Sequence, residues 1–406
     1  MREGSPGSQL VCGNPSLTAG ALMAIHAIRF LPPAETSRLV VRPTTFMVLK
    51  ALAALILLAW SAAAQDADSQ IRAEIQRLRS SLQARPIADP RFADSNATTE
   101  SQLKGAEEAV AAARLYVSLE RLVSVSDFVQ GIRTTIEKTD TVKDRLAAFE
   151  DEWRKASAIL AARDQQLQAV DWNHMRAAIR AMAEVARART GPLLEGGHGF
   201  AISTKPEDGL FYVGEAQAQA EFAEFCAGLH FPRATRPLPL RSVLPGLLAL
   251  QEKANAAFQP PRSIDLHSRF IALNSTIKLA RELDASKFYA GAMYQYLDAV
   301  RHYGMLSMPV VDAAKQAEVK EALAGAQRKL EASKDDDSIL QILVQRSASQ
   351  VAHADGSAPS ADEWRSAQVT VQQVVPAYYA ARKAPPARRR TTGKTVDLTV
   401  VRWPYT

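Results

Sequence analysis

Apolar residues recur every three or four positions along most of this chain, the spacing of one face of an α-helix. Ile71, Ile75, Leu78 and Leu82 form the first stripe. Arg72, Glu74, Gln76, Arg77 and Arg79 fill its polar side, predicting an amphipathic helix over 68–84 that ends before Pro86 and Pro90. Thr99 or Ser101 is placed to cap a second helix reaching Leu122, with a break expected near Ser126, Asp127 and Gly131. Val142, Leu146, Phe149, Trp153, Ile159, Leu160 and Leu167 predict the longest helix, over 139–168. Asp171 caps the next, whose stripe of Trp172, Met175, Ile179, Met182 and Val185 runs to about Arg189. Further helices are expected over 211–229, 243–258, 266–283, 286–305, 309–333 and 339–354. A last one over 360–381 is kinked at Pro376. The predicted fold class is all-α: antiparallel helices stacked in hairpins, as a bundle or an α-solenoid-like array, with a small C-terminal β-strand.

Two stretches break the helical rhythm. Residues 191–210 hold the sequence Glu195-Gly196-Gly197-His198-Gly199 and read as a long Gly-rich loop between a helical region over 65–190 and another over 211–381. Residues 382–406 form a basic, Pro-containing linker and then the β-branched run 395–403, the predicted strand. A lone strand needs a partner. Either 199–204 pairs with it, or it adds to the sheet edge of another protein, with Val396, Leu398, Val400 and Trp403 giving selectivity.

One apolar run is not periodic. Residues 46–65 carry a single basic group, Lys50, then an unbroken apolar core over 51–60, then small residues to Ala64 and Gln65. That is the layout of a secretory signal peptide over 47–64, cleaved between Ala64 and Gln65. Its core is shorter than the roughly 20 apolar residues a bilayer span requires, so no stable membrane span is expected after cleavage. Residues 1–46 do not fit an n-region and read as a doubtful leader or a misassigned start, with translation beginning at Met47. The expected location is secreted or periplasmic.

Charge adds to this picture through its placement. The chain has a formal net charge of +6. Residues 382–406 alone carry seven basic groups against Asp397, and the first 64 carry five against two, which leaves −3 for the body between. No basic stripe interleaved with aromatics marks the body, so nucleic acid is not an expected partner. Of the two cysteines, Cys12 lies in the doubtful leader and Cys226 in an apolar helical patch, where a buried inert thiol is expected.

Motifs of catalysis are scarce. The seven histidines form no His-Glu-x-x-His pair and the cysteines no Cys-x-x-Cys, so neither a metal nor a cofactor is expected. His198, flanked by glycines and three residues after Glu195, is the best catalytic candidate, with Glu195 placed to orient the imidazole. Asp335, Asp336 and Asp337 lack the alternation, Gly and final Glu of a calcium loop and read instead as a helix cap.

Two segments open alike: Phe211-Tyr212-Val213-Gly214 and Phe288-Tyr289-Ala290-Gly291. Around the second, Leu279, Ala280, Ala292, Tyr296 and Ala299 fall at the Leu-Gly, Ala, aromatic and Ala positions of a helix pair, and residues 273–304 resemble a tetratricopeptide repeat. Thr276, Leu283 and Gly304 stand where that family has Trp, Tyr and Pro. The resemblance implies an α-solenoid with a concave surface for partner proteins. The first expectation for function is thus an exported helical interaction or scaffold protein with a protein partner. One rival is an envelope enzyme, such as a hydrolase, with its site near the Gly-rich stretch. The other is a helical protein that binds a small ligand in the groove near Tyr289 and Tyr296.

Overall fold

The computed structural model describes residues 66–84, 87, 92–232, 236–259, 264–352 and 357–383. The expected leader, signal and cleavage point lie outside those residues, as do the linker beyond Lys383 and the strand carrying Val396, Leu398, Val400 and Trp403. Among the described residues the regular structure is helical, and no helix is long and apolar enough to cross a membrane. The first six helices are α1 (Ala67–Ala84), α2 (Ala93–Ala111), α3 (Leu115–Val142), α4 (Leu146–Gln168), α5 (Ala177–Ser203) and α6 (Leu210–Gly228). The remaining ones are α7 (Leu244–Ala257), α8 (His267–Ala285), α9 (Tyr289–Ser307), α10 (Ala313–Glu331), α11 (Ser338–Gln350), α12 (Ala361–Val369) and α13 (Val375–Lys383).

The expected loop over 191–210 is corrected. Helix α5 continues through Pro192 and through Gly196, Gly197 and Gly199 to Ser203, and a short 3-10 turn, Pro206–Gly209, leads into α6. Packing explains why glycines do not break it. Leu194, Gly197 and Ala201 lie on one side and are buried against α4 and α6. A Cβ on Gly197 would stand 2.7 Å from Tyr212 Cβ and 3.0 Å from the Gly209 carbonyl oxygen, so only glycine permits that approach. The alternative that 199–204 forms a strand is excluded by the same helix.

Helix breaks fall where the sequence lacks glycine. The stretch expected as one helix to Leu122 is split at Ala113 (φ 56°), and that expected over 139–168 is split at Asp144 (φ 55°). Conversely, α3 runs unbroken through Ser126, Asp127 and Gly131, where a break was expected. Gly131 admits the Phe211 ring, 2.9 Å from where its Cβ would be. The expected kink at Pro376 takes the form of a π turn, Thr370–Val374, between α12 and α13. Proline has no N–H and crowds the carbonyl one turn back, and one extra residue in the turn relieves both.

Helix α5 organises the core. Ala177 and Ala181 join the cluster formed by α7–α13. Ile179, Met182, Ala183 and Ala186 join the cluster of α1–α3 and α6. Leu194 and Ala201 join Phe149, Leu210 and Val213 in a third. A stripe of alanines lets neighbouring helices approach closely enough to share this one rod.

Among the described residues most helix N-termini have no side-chain cap from their own sequence, and those of α5, α7 and α9 are capped from elsewhere in the fold. Asp336 Oδ2 accepts the Ala177 N–H (2.7 Å) and Ser338 Oγ accepts the Ala178 N–H (2.9 Å), so the acidic run closes α5. Glu184 Oε2 accepts the Gly291 N–H at the start of α9 (2.8 Å). Asp284 Oδ1 accepts the Val243 N–H at the start of α7 (2.8 Å). Each anion satisfies an orphan donor and faces the positive end of a helix dipole. Of Asp335, Asp336 and Asp337, expected to cap the helix that follows them, Asp336 alone caps: it accepts the Ser338 N–H at the start of α11 (3.3 Å) as well as that of the distant Ala177. Asp337 meanwhile accepts from Tyr378 Oη (2.8 Å) and Arg382 (2.7 Å), which ties α13 to the same loop.

Candidate functional site

A concentration of buried charge lies where α3, α5, α6, α9 and α11 meet. It arises from polar residues placed inside apolar stripes at helical spacing. Helix α3 supplies Glu120, Ser124 and Asp127; α6 supplies Glu215 and Gln219; α9 supplies Tyr294 and Asp298. These flank a cavity of about 400 Å³. Val117, Val123, Met182, Val185 and Phe222 give it an apolar wall, and Glu120, Arg121, Arg189, Gln219, Tyr294 and Arg346 give it a polar one.

Two networks back the polar wall. In the first, Tyr294 Oη and Arg346 Nη1 (3.2 Å) both donate to Glu120 Oε1, and Arg346 Nη2 donates to Asp298 Oδ1 (2.7 Å). Arg301 Nε also donates to Asp298 Oδ1 (2.9 Å), and His302 Nε2 stands 3.4 Å from Oδ2. Burial opposes ionisation of Asp298, but Arg301, Arg346 and His302 together hold its carboxyl well below the usual range. Glu120 has fewer cations around it, and burial keeps its carboxyl above its ordinary value.

In the second network, Gln219 Nε2 donates to both oxygens of Asp127, whose carboxylate is 3.6 Å from Arg189. The same guanidinium is 3.9 Å from Glu215. Two carboxylates thus share one loosely held cation. Burial, reinforced by the nearby Glu215 charge, pushes Asp127 up to about 8, and burial pushes Glu215 up to about 7. Neither carboxylate lines the cavity; Arg189 and Gln219 do. The cavity therefore presents a donor-rich surface and not the pair of titrating acids behind it.

The residues singled out from sequence lie elsewhere. His198, on α5, packs its ring against Trp153 (centroids 4.8 Å apart) and Phe149 (6.3 Å), closing the seam between α4 and α5. Trp153 Nε1 donates to the Leu194 carbonyl in the same seam (3.0 Å). Glu195 is exposed, and no hydrogen bond joins it to His198 among the described residues. Tyr289 is half-buried at the start of α9. Tyr296 is covered by α7: a Cβ on Gly246 would meet its ring at 3.0 Å. The tyrosine of α9 that reaches a cavity is Tyr294. Cys226 is fully buried, and burial pushes its thiol far up, as an inert thiol requires. No group of three or more His, Cys, Asp or Glu side chains suited to a metal ion is found among the described residues.

Glu120, Asp127 and Glu215 carried a signal that periodicity alone undervalues. Each is an acid within a run whose neighbours on the same face are apolar, and a charge there is costly unless paired. Comparison with protein-family models, with curated proteins and with solved structures finds no match to this chain.

Proposed function

We propose that this chain is an exported, helical small-molecule binding protein, with its ligand seated in the cavity between α3, α5, α6, α9 and α11. The observation that carries this reading is the cavity's construction. An opening of about 400 Å³ has an apolar lining and a polar one, in which Glu120, Tyr294, Arg346 and Gln219 are fixed by hydrogen bonds. That is the form of a preorganised small-molecule site. Binding is favoured over catalysis by what surrounds the sequence-derived candidate. His198 is a packing ring, and Asp127 and Glu215 stand behind Arg189 and Gln219, outside the cavity lining. The resemblance of 273–304 to a tetratricopeptide pair fits a supporting role, since α9 of that pair contributes Tyr294 and Gln295 to the site. Export rests on the signal-like run 47–64 and implies a mature chain beginning at Gln65.

The test is a thermal-shift survey of small amphipathic molecules on the purified protein. At least one is expected to raise the melting temperature in a saturable way. Ala186→Phe and, separately, Val123→Phe, which fill the cavity from two sides, should abolish that response while the helical circular-dichroism signal persists. An undiminished response in both folded variants, or no response from any compound, would remove the reading.

A further inference from the structure

Resting on the cavity reading, we infer that the ligand is an organic anion: a carboxylate borne on a small apolar body, received by Arg121 and Arg189. The inference comes from hydrogen-bond capacity. Three carboxylates at the junction are already engaged by the protein. Glu120 accepts from Tyr294 and Arg346, Asp127 from Gln219 at both oxygens, and Asp298 from Arg301 and Arg346. Of the three, Glu120 lines the cavity beside Arg121, Arg189 and Arg346, so an ammonium ligand meets three cations and one carboxylate whose Oε1 already holds Tyr294 and Arg346.

Donors are not used up. A guanidinium offers five N–H groups. Arg189 makes only ion contacts of 3.6 and 3.9 Å, beyond hydrogen-bond length, and its side chain is 38% exposed. Arg121 forms no ion pair or hydrogen bond among the described residues, although it lines the cavity. Its place is built into the fold: a Cβ on Gly105 would stand 1.6 Å from Arg121 Nη1, so the glycine of α2 makes room for the guanidinium. A second cavity of about 410 Å³ shares Val117, Arg121 and Ser349 with the first and adds Lys104, Arg114 and Glu108; Glu108 pairs with Lys104 (3.8 Å), so Arg121 and Arg114 leave the approach with a net positive charge. Free donors beside an apolar wall of Val123, Met182 and Phe222 fit a carboxylate head with a hydrocarbon body.

The experiment is calorimetric titration of the purified protein with octanoate, octylamine and octanamide, which share one chain and differ in the head group. Octanoate is expected to bind, and the amine and amide to bind at least tenfold more weakly. Arg121→Gln should weaken octanoate by roughly tenfold or more, the scale of a lost charge-assisted hydrogen bond. Gly105→Ala displaces the guanidinium without removing it, since the atom in the way is the far end of a flexible side chain, and should weaken octanoate in the same direction. If the amine or amide binds as tightly as the acid, or both folded variants bind octanoate like the parent, the anion assignment falls and the cavity reading stands. If none of the three binds at millimolar concentration, both fall.

Discussion

At the residue scale, the molecule is defined by charges placed where apolar side chains would pack more cheaply. Asp127 is 4% exposed, and its folded state holds a proton more tightly than the unfolded chain does. Its contribution to stability is complete below the ordinary carboxyl range and is lost as pH rises through about 8. Glu215 acts in the same direction up to about 7. Melting temperature is therefore expected to decline across that window, and Asp127→Asn should make the decline shallower. It should not vanish, because burial also raises the carboxyls of Glu120 and Glu184. A parent curve that rises with pH over the window would show that Asp127 is ionised and well paired in the folded state. Periodicity finds which face of a helix is buried; it does not say which charges that face contains for a purpose. For that reason Asp127 read as a helix break and His198, in a conspicuous glycine setting, read as chemistry.

At the scale of single helices, glycine misled in both directions, and the cause is the same. Local conformational preference is weak beside tertiary packing. Ala113 and Asp144 take left-handed turns without glycine because neighbouring helices fix where α2, α3 and α4 must end. In α5 the glycines divide by role. Gly197 is pressed against Tyr212 and Gly209, whereas Gly196 has open space where a Cβ would go. Gly196→Ala should stabilise the fold by about 0.5–1 kcal/mol through lost freedom in the unfolded chain. Gly197→Ala should destabilise it by about 1–3 kcal/mol through overpacking. Denaturant melts of the two variants separate these effects, and equal outcomes would mean that residues 191–203 do not hold this packed helix. The helices whose apolar stripes lie between clear proline or polar boundaries, α1, α7, α8 and α9, were legible almost to their ends. The caps were not, because Asp336, Glu184 and Asp284 act on helices distant in sequence.

At the scale of the whole molecule, the sequence suggested two helical regions divided near residue 191, and the structure places the shared rod there. Helix α5 contributes to all three apolar clusters, so neither half buries its core without it. Contacts of α11 with both α3 and α5 add a link that an array of nearest neighbours would lack, through Arg346 on Glu120 and Ser338 on Ala178. A single calorimetric unfolding transition is expected; two resolved transitions would show that the halves are separately stable. The same junction that welds the halves also leaves the cavity, so stability and binding should be coupled: an occupant that bridges α3, α5 and α9 raises the cost of opening all three clusters.

The most direct measurement is a methyl-labelled methionine spectrum of the protein during titration with octanoate. Met182 lines the cavity, while Met293 is 2% exposed in the cluster of α7–α13 and serves as an internal control. A saturable shift of the Met182 methyl resonance, with Met293 nearly still, is the expected result. A Met182 resonance that stays fixed, or one that moves no more than every other methionine, would contradict a ligand seated between these five helices.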